Sequence, residues 1–321
     1  MRQATLEDRA EYLGVIAFVR LARSLPARSA LQAANALGTL FFDLVRYRRT
    51  VALTNLRSRL GGDGDFQRLR DGEGAEGGPG GGAGGADGVR GGRSYRRIGR
   101  RAMQTFMEGL VEFVRLPCTG RPYLEKHFSI AGIGNLDEAL SRGRGAVLVT
   151  GHFGSWELAG PVLASFGYPV DLLVGVQRNL LVQDLMNGMR RDCGVGVIEP
   201  ERLIRAVRSL RANRLVAMLC DQDAGRRGVF VDFLGAPAST TKGPARLAIL
   251  AGSPVVPGFI LRTGGLSHKI VIERPIWPGP EASERAVFDL TQAYTDVIAS
   301  YVRRYPGHWL WTHRRWKTRP G

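Results

Sequence analysis

Apolar residues near the N-terminus recur at helical spacing in two stretches within residues 11–47. The two stripes consist of Leu13, Ile16, Ala17, Arg20, Leu21 and Ala22, and of Leu37, Leu40, Phe41, Leu44 and Val45. Because Pro26 separates them, the pattern predicts two amphipathic helices with a break near that proline. The arginines at the stripe margins suit helices lying in the surface of an anionic bilayer. The same pattern also suits helices that pack on a core.

A glycine-rich stretch at residues 61–92 interrupts these patterns, and almost half of its residues are glycine. Such a segment buries too little apolar surface to offset the entropy lost on ordering, so we predict a flexible insertion. A helical pattern resumes near Ser94 and stops at Pro117. Its predicted buried stripe is Met103, Phe106, Leu110, Phe113 and Val114.

From about residue 128, short β-rich runs alternate with helical patterns, which is typical of an α/β core. The predicted strands are 145–150, 169–175, 194–199, 214–220, 254–262 and 268–273, and the predicted helices are 155–167, 179–194, 200–213, 242–252 and 283–304. We therefore predict a mixed, mostly parallel central sheet flanked by helices. Residues 1–60, as membrane-facing amphipathic helices, and residues 93–321, as the α/β core, would form a single domain.

One histidine lies where an α/β fold builds its sites. His152 follows the predicted strand 145–150 and precedes a helix for which Ser155 is the predicted N-cap and Glu157 lies in the first turn. Sites form at the carboxyl ends of such strands. There an imidazole can act as a general base while free helix-start amides hold developing negative charge. The alternative is that Glu157 favours the helix dipole and His152 packs under a loop.

Two carboxylates follow another predicted strand. Asp221 and Asp223 come directly after 214–220, so we expect them at the same sheet edge as His152. One could orient His152 and stabilise its imidazolium, while the other could bind loop amides or the nearby Arg226 and Arg227. Either aspartate alone could instead make a simple Asx turn.

Composition favours an anionic partner and gives no sign of a metal. The formal net charge is +16 and the pI is about 10.7, which suits nucleic acid, an anionic membrane surface or a phosphorylated substrate. The cysteines, Cys118, Cys193 and Cys220, form no C-x-x-C pair, and the sequence has no H-E-x-x-H motif. No stretch reaches the roughly 18 uncharged apolar residues that a membrane-spanning helix needs.

Five sequence blocks in order resemble one enzyme family. They are the H-x4-E of 152–157, the DQD of 221–223, FLGAPASTTKGPARLA at 233–248, PVVP at 254–257 and HWLWTHRRWKTRP at 308–320. Together they resemble the late acyltransferases of lipid A biosynthesis, the lauroyl and myristoyl transferases of the wider lysophospholipid acyltransferase group. The resemblance covers most of the chain outside the glycine-rich stretch, and it implies a glycerol-3-phosphate acyltransferase-like fold.

The resemblance implies acyl transfer from an acyl thioester, carried by acyl carrier protein or CoA, to a hydroxyl of a membrane-bound lipid A precursor. It places the enzyme at the cytoplasmic face of the inner membrane, either peripherally or through one N-terminal anchor, with no cofactor besides the acyl donor. His152 would deprotonate the acceptor hydroxyl, with Glu157, Asp221 or Asp223 as its acid partner. The expected substrate-binding residues are Arg178, which matches a family arginine, Lys242 at a helix start, Ser155 and Arg226.

Two other functions fit parts of the sequence. The same chemistry could serve another acceptor, such as a phosphatidylinositol mannoside or an amino-lipid. A protein of a different class would bind membranes or nucleic acid through its basic residues without catalysis. The C-terminal tryptophans and cations, Trp309, Trp311, Trp316, Arg314, Arg315 and Lys317, suit a bilayer surface, a phosphate or single-stranded nucleic acid. They also suit a helix or strand end that packs on the core with its charges in water. The resemblance favours a glycolipid over nucleic acid.

Overall fold

The computed structural model describes residues 4–61, 87–199 and 202–321. Of the glycine-rich stretch predicted at 61–92, residues 62–86 therefore lie outside the described residues. The following helix begins at Asp87, earlier than the predicted start near Ser94. The sequence could not place this boundary, because glycines contribute no apolar side chain to a stripe.

The N-terminal part is helical and breaks at the predicted proline. Helix α1 spans Leu6–Ser24, α2 spans Ala27–Leu40, a π-helical turn spans Phe41–Val45, α3 spans Arg49–Leu60 and α4 spans Asp87–Arg115. Thr5 and Asp8 begin α1 with a reciprocal capping box, in which each side chain accepts from the other's backbone N–H. The predicted pair of helices broken near Pro26 is confirmed.

The face that α1 buries only partly matches the predicted stripe, of which Ala22 is a member. Val19 and Ala22 are buried and the helix packs on α4, whereas Leu13 and Leu21 are 65% and 61% exposed. Periodicity alone could not choose between the faces, because α1 carries apolar residues on both. Helix α2 packs still closer to α4, where a Cβ on Gly38 would come within 2.5 Å of the Gln104 backbone.

A seven-stranded sheet forms the centre of the molecule. Its strands are β1 Phe128–Ala131, β2 Ala146–Thr150, β3 Val170–Leu173, β4 Gly196–Ile198, β5 Leu215–Leu219, β8 Val255–Gly264 and β9 Ser267–Ile272. A separate antiparallel pair consists of β6 Val229–Asp232 and β7 Pro237–Thr240. The order in the large sheet is β1-β9-β8-β2-β5-β3-β4, and every neighbouring pair is parallel except β8 and β9. This topology confirms the predicted mixed, mostly parallel sheet.

Helices cover both faces of the sheet. Alternate residues of β2 join two different hydrophobic clusters, Val147 and Val149 in one and Ala146 and Leu148 in the other. The remaining helices are α5 Arg121–His127, α6 Ile133–Leu140, α7 Ala159–Ser165, α8 Leu180–Asp192, α9 Leu203–Arg211, α10 Gly243–Ala251 and α11 Glu284–Arg304.

The C-terminal aromatic segment lies largely inside the protein. Trp309, Trp311 and Arg315 are each at most 1% exposed. The Arg315 guanidinium donates to the carbonyl oxygen of Ser239 and the hydroxyl of Thr240 in β7. The interpretation of these three residues as a bilayer- or nucleic-acid-binding surface was therefore wrong. Tryptophans beside arginines form the same sequence pattern at a binding surface and in a buried segment, so the pattern cannot distinguish the two.

Candidate active site

The ends of β2 and β5 bring the predicted histidine and aspartates to one edge of the sheet. The two strands are parallel neighbours, and Thr150 lies opposite Leu219 at their carboxyl ends. His152 and Asp221 each follow two residues after this pair, so matched register carries both side chains to the same place. The site thus arises from strand pairing between segments that are 69 residues apart.

His152 and Asp221 form a hydrogen-bonded dyad. The Nδ1 atom of His152 lies 2.8 Å from Oδ1 of Asp221. The other carboxylate oxygen accepts the His152 backbone N–H at 2.7 Å and the Trp309 indole N–H at 2.7 Å. Gly151 permits this approach, because a Cβ there would lie only 2.8 Å from the carboxylate. Asp221 is buried, whereas the His152 side chain keeps 18% of its surface exposed.

The electrostatics of the dyad fix the proton on one nitrogen. Burial opposes ionisation of Asp221, but the charge and hydrogen bonds of His152, together with the Trp309 hydrogen bond, lower the pKa of Asp221 to about 2. Burial also disfavours the imidazolium, yet attraction and hydrogen bonding by Asp221 leave the pKa of His152 raised. Since the carboxylate is ionised, Nδ1 carries the proton and Nε2 is the basic atom. Gln222 places its amide nitrogen 3.2 Å from that Nε2.

Glu157 has a different partner. Arg190 of α8 contacts both of its carboxylate oxygens, with Nη2 at 2.7 Å and Nε at 3.0 Å. This ion pair is nearly buried, and Asn187 accepts a further hydrogen bond from Arg190. Glu157 still contributes an attractive charge to the His152 imidazolium. Among the three candidate acids, however, Asp221 is the one that hydrogen-bonds the imidazole.

Asp223 holds the C-terminal segment instead of the imidazole. Its carboxylate accepts the backbone N–H of Thr318 at 3.2 Å and the hydroxyl of the same residue at 2.9 Å. Its own N–H donates to Nε2 of His313 at 3.0 Å. These contacts differ from the predicted interaction with Arg226, which is exposed in the turn Gly225–Arg227. Asp223 therefore anchors residues that follow α11.

Ser155 does not cap a helix as predicted. Its hydroxyl donates to the buried carboxylate of Glu112 at 2.8 Å, and a 3₁₀ turn, Trp156–Leu158, precedes α7. A hydroxyl donates a strong, charge-assisted hydrogen bond to a carboxylate, and this contact holds the Ser155 side chain towards α4. The loop is fixed from its other side as well, because the Gly154 N–H donates to the His308 carbonyl at 2.8 Å.

Two of the three cations expected to bind substrate, Arg178 and Lys242, contact carboxylates. Arg178 contacts Glu7 of α1 at 2.8 Å and is 71% exposed. Lys242 contacts Glu284 at the start of α11 at 3.0 Å. Neither contact belongs to the dyad. A substrate phosphate would have to compete with these carboxylates.

A buried charge cluster behind the loop gave no signal in the sequence. Arg262 of β8 contacts Glu112 at 2.6 Å and Glu108 at 3.1 Å, and His268 of β9 lies 3.4 Å from Glu112. Burial opposes ionisation, but His268 and Arg262 together lower the pKa of Glu112. The cluster joins α4 to the sheet and ends at the Ser155 hydroxyl. Its members are up to 160 residues apart in the sequence, so no local motif could reveal them.

The family model for bacterial lipid A biosynthesis acyltransferases matches residues 93–318, which include the dyad and all the elements around it. The chain belongs to this acyltransferase family. The predicted resemblance is thereby confirmed.

Named relatives within this group act on two kinds of lipid. A phosphatidylinositol mannoside acyltransferase of Mycobacterium tuberculosis is 29% identical over 64% of this chain and 66% of its own length. The lipid A biosynthesis palmitoleoyltransferase of Escherichia coli is 29% identical over 61% of this chain and 64% of its own length. The chain thus spans just under two thirds of each relative. Among solved structures, the 1-acyl-sn-glycerophosphate acyltransferase of Thermotoga maritima is 15% identical over 84% of this chain and 96% of its own, with a TM-score of 0.37.

Two further properties concern the described parts of this acyltransferase. No helix in ranges 4–61, 87–199 and 202–321 combines the length and apolarity needed to cross a bilayer. Within the same ranges, no three His, Cys, Asp or Glu side chains cluster as a metal site requires. Cys220 precedes the dyad, but burial raises the pKa of its thiol well above the ordinary value, which disfavours a nucleophilic thiolate.

The dyad predicts an acid limit to the reaction. Since only the neutral imidazole can accept a proton, the rate should fall as pH drops through the pKa of His152, which Asp221 raises above the ordinary value of about 6.5. In Asp221→Asn the midpoint should move to lower pH and the plateau rate should fall. Single-turnover rates measured from about pH 5 to 9 test this. A flat wild-type profile would contradict a histidine base.

Proposed function

We propose that the protein transfers a fatty acyl group from an acyl thioester of acyl carrier protein or CoA to a hydroxyl of a membrane glycolipid, with His152 as general base. The observation that carries this proposal is the dyad itself, because Asp221 holds the proton on Nδ1 and leaves a basic, partly exposed Nε2. Membership of an acyltransferase family supplies the reaction class.

The reaction then proceeds by direct attack. As the acceptor oxygen bonds to the thioester carbonyl carbon, its proton passes to Nε2 of His152, and Asp221 stabilises the resulting imidazolium. Collapse of the tetrahedral intermediate breaks the C–S bond, and the imidazolium proton goes to the leaving thiolate. The sequence contains no G-x-S-x-G nucleophile elbow, so no acyl-enzyme on such a serine is required.

An aromatic wall beside the base suits an apolar acyl donor. The Trp156 ring meets the His152 ring edge-on at a centroid distance of 4.9 Å, and Phe106 of α4 stacks on Trp156 at 5.9 Å. Both aromatic side chains are only partly buried. A thioester that packs on this wall would have its carbonyl carbon next to Nε2.

Exposed leucines support association with a membrane surface. Leu13 and Leu21 of α1 and Leu44 after α2 are more than half exposed, and arginines flank them in the sequence. Apolar side chains bordered by cations are suited to the interface of an anionic bilayer. We infer peripheral binding at the cytoplasmic face of the inner membrane, where acyl thioesters are available.

Two acceptors remain in competition. The family description and the Escherichia coli relative favour a lipid A precursor, the acceptor expected from the sequence. The mycobacterial relatives favour a phosphatidylinositol mannoside, because they match at 29% identity over up to 68% of this chain.

Lipid mass spectrometry can distinguish these acceptors. Extracts would be compared from cells with the gene, without it, and complemented by wild-type or His152→Ala protein. Loss of one acyl chain from lipid A, or from a phosphatidylinositol mannoside, identifies the acceptor when only the wild type restores it. Restoration by His152→Ala would instead support a role without catalysis by this histidine. If no glycolipid changes, the proposed acceptor class is wrong.

A further inference from the structure

A basic cleft of about 750 Å³ lies between α3 and the segment that follows α11. One wall belongs to α3, the other to residues 314–320, and residues 236–237 complete the lining. The residues of this basic cleft are Thr50, Val51, Thr54, Asn55, Ser58, Arg59, Ala236, Pro237, Arg314, Trp316, Lys317, Arg319 and Pro320. The acyl-transfer mechanism uses none of them.

The lining of the basic cleft is suited to an anion. It contains four cations, Arg59, Arg314, Lys317 and Arg319, and among the described residues no carboxylate lines it. Hydroxyl groups of Thr50, Thr54 and Ser58 lie along the α3 wall. Cations and hydroxyl donors without a competing carboxylate are what a phosphate ester binds.

Arg59 is held in place but has an unsatisfied donor. Its guanidinium lies 4.7 Å above the Trp316 ring, which in turn stacks on Phe233 at 5.7 Å. The Nε atom is buried and hydrogen-bonds to no residue in the described part of the chain. Burial lowers the pKa of Arg59, and the negative charge of Asp232 opposes this effect. A cation held against an aromatic ring at the cleft wall is suited to an incoming oxyanion.

An exposed apolar stretch precedes the Thr50 end of the cleft in the sequence. Leu44, Val45 and Tyr47 are 73%, 58% and 51% exposed, and Thr50 follows Tyr47 by three residues. From Thr50 to Arg59 the helix advances about 14 Å, at 1.5 Å per residue. A lipid whose tails meet the apolar side chains would therefore meet hydroxyls and then cations along α3.

The wall of the cleft is also linked to Asp221 of the dyad and to Asp223. Asn55 donates from its amide to the carbonyl oxygens of Trp311 and His313, each at 2.9 Å. His313 accepts the N–H of Asp223, and Trp309 of the same segment donates to Asp221. The inner side of this segment thus holds the dyad while its outer side lines the cleft.

We propose that the basic cleft binds the phosphate of a membrane lipid headgroup. The inference deepens the proposed function, since it rests on a membrane lipid as substrate and gives that lipid a second point of attachment beside the dyad. An acidic protein, such as acyl carrier protein, could also bind to the four cations of the cleft. The exposed apolar side chains before Thr50 and the row of hydroxyls favour the lipid.

Vesicle binding tests the proposal without catalysis. The probe is phosphatidylcholine vesicles with a minority of phosphatidylinositol, at physiological salt, read by flotation. The triple variant Arg314→Gln, Lys317→Gln, Arg319→Gln should lose about tenfold or more in affinity. The matched triple Lys126→Gln, Lys269→Gln, Arg274→Gln removes the same charge from exposed positions near the β1–β9 edge, and it should stay within about twofold of the wild type.

A second variant tests whether lipid binding depends on the shape of the cleft as well as on its charge. Thr54→Tyr narrows the cleft at an exposed position without changing net charge. It should weaken binding of monomeric dihexanoyl phosphatidylinositol about fivefold or more, because that probe must enter the cleft. Thermal unfolding of each variant verifies that the fold is retained.

Three results would overturn the proposal. Equal losses in the two triple variants would show diffuse attraction to the whole basic surface. Unchanged binding of the soluble lipid by Thr54→Tyr would show that the cleft is not its site. If the triple variant of the cleft no longer binds acyl carrier protein but still binds vesicles, the cleft is a site for an acidic protein. His152→Ala should bind vesicles like the wild type, so failure of acyl transfer and failure of this site are distinguishable.

Discussion

Replacing His152 with alanine is expected to lower kcat for acyl transfer by about 10²–10⁴-fold, the usual contribution of a positioned general base. The variant loses the Nε2 atom that accepts the acceptor's proton and leaves the buried Asp221 carboxylate without its main partner. The measurement is release of free thiol from a saturating acyl thioester in the presence of glycolipid. KM for the donor should change much less than kcat, because the imidazole acts on the acceptor hydroxyl.

Two comparisons make this result specific. His127→Ala removes a histidine at the end of α5, before the edge strand β1, and should leave kcat within about twofold of the wild type. Combining His152→Ala with Asp221→Asn should lower kcat little more than His152→Ala alone does, since the two residues act as a unit. Retention of most activity in His152→Ala, or fully additive losses, would contradict the dyad mechanism.

Replacing Arg262 with methionine is expected to lower the free energy of unfolding by about 3–5 kcal/mol. Arg262 is 6% exposed and contacts Glu108 and Glu112, so its removal leaves two buried carboxylates without their shared cation. Urea denaturation followed by circular dichroism measures the loss. Because the cluster ends at the Ser155 hydroxyl, kcat should also fall while the fold persists.

An exposed ion pair provides the matched control for Arg262. Arg285→Met breaks a contact with Asp289 one turn along α11, where both side chains are more than half exposed, and it should cost less than about 1 kcal/mol. Adding Glu112→Gln to Arg262→Met should recover part of the stability, because it removes one stranded charge. If Arg262→Met and Arg285→Met lower the free energy of unfolding by the same amount, the buried cluster stabilises the fold no more than an exposed ion pair does.

The central sheet, and the meeting of His152 with the two aspartates at one edge of it, could be predicted because local patterns determine them. Two buried β-rich runs, each followed at once by polar residues, indicate strand ends, and parallel pairing then brings His152 and Asp221 together. Which acid approaches the imidazole could not be predicted. Asp221 and Asp223 both follow the strand, and loop geometry alone directs the first inward and the second towards Thr318.

Long-range partners were beyond the sequence for a physical reason. Trp309 and Asp221 are 88 residues apart, and Glu157 and Arg190 are 33 apart, so their contacts depend on tertiary packing. Burial of the Arg315 charge was also missed. An indole beside a guanidinium suits both a bilayer surface and a core in which backbone carbonyls satisfy the donors, as Ser239 does for Arg315.

The Trp309 contact has a consequence for the order in which the protein acquires its activity. A growing chain that has emerged as far as Asp223 already contains His152 and Asp221, yet it lacks the indole that fixes one carboxylate oxygen and the Thr318 that anchors Asp223. Chains are made from the N-terminus, and contacts so distant in sequence close late in folding. Unfinished chains should therefore carry an incomplete dyad and begin to consume acyl thioesters only once the segment after α11 has docked.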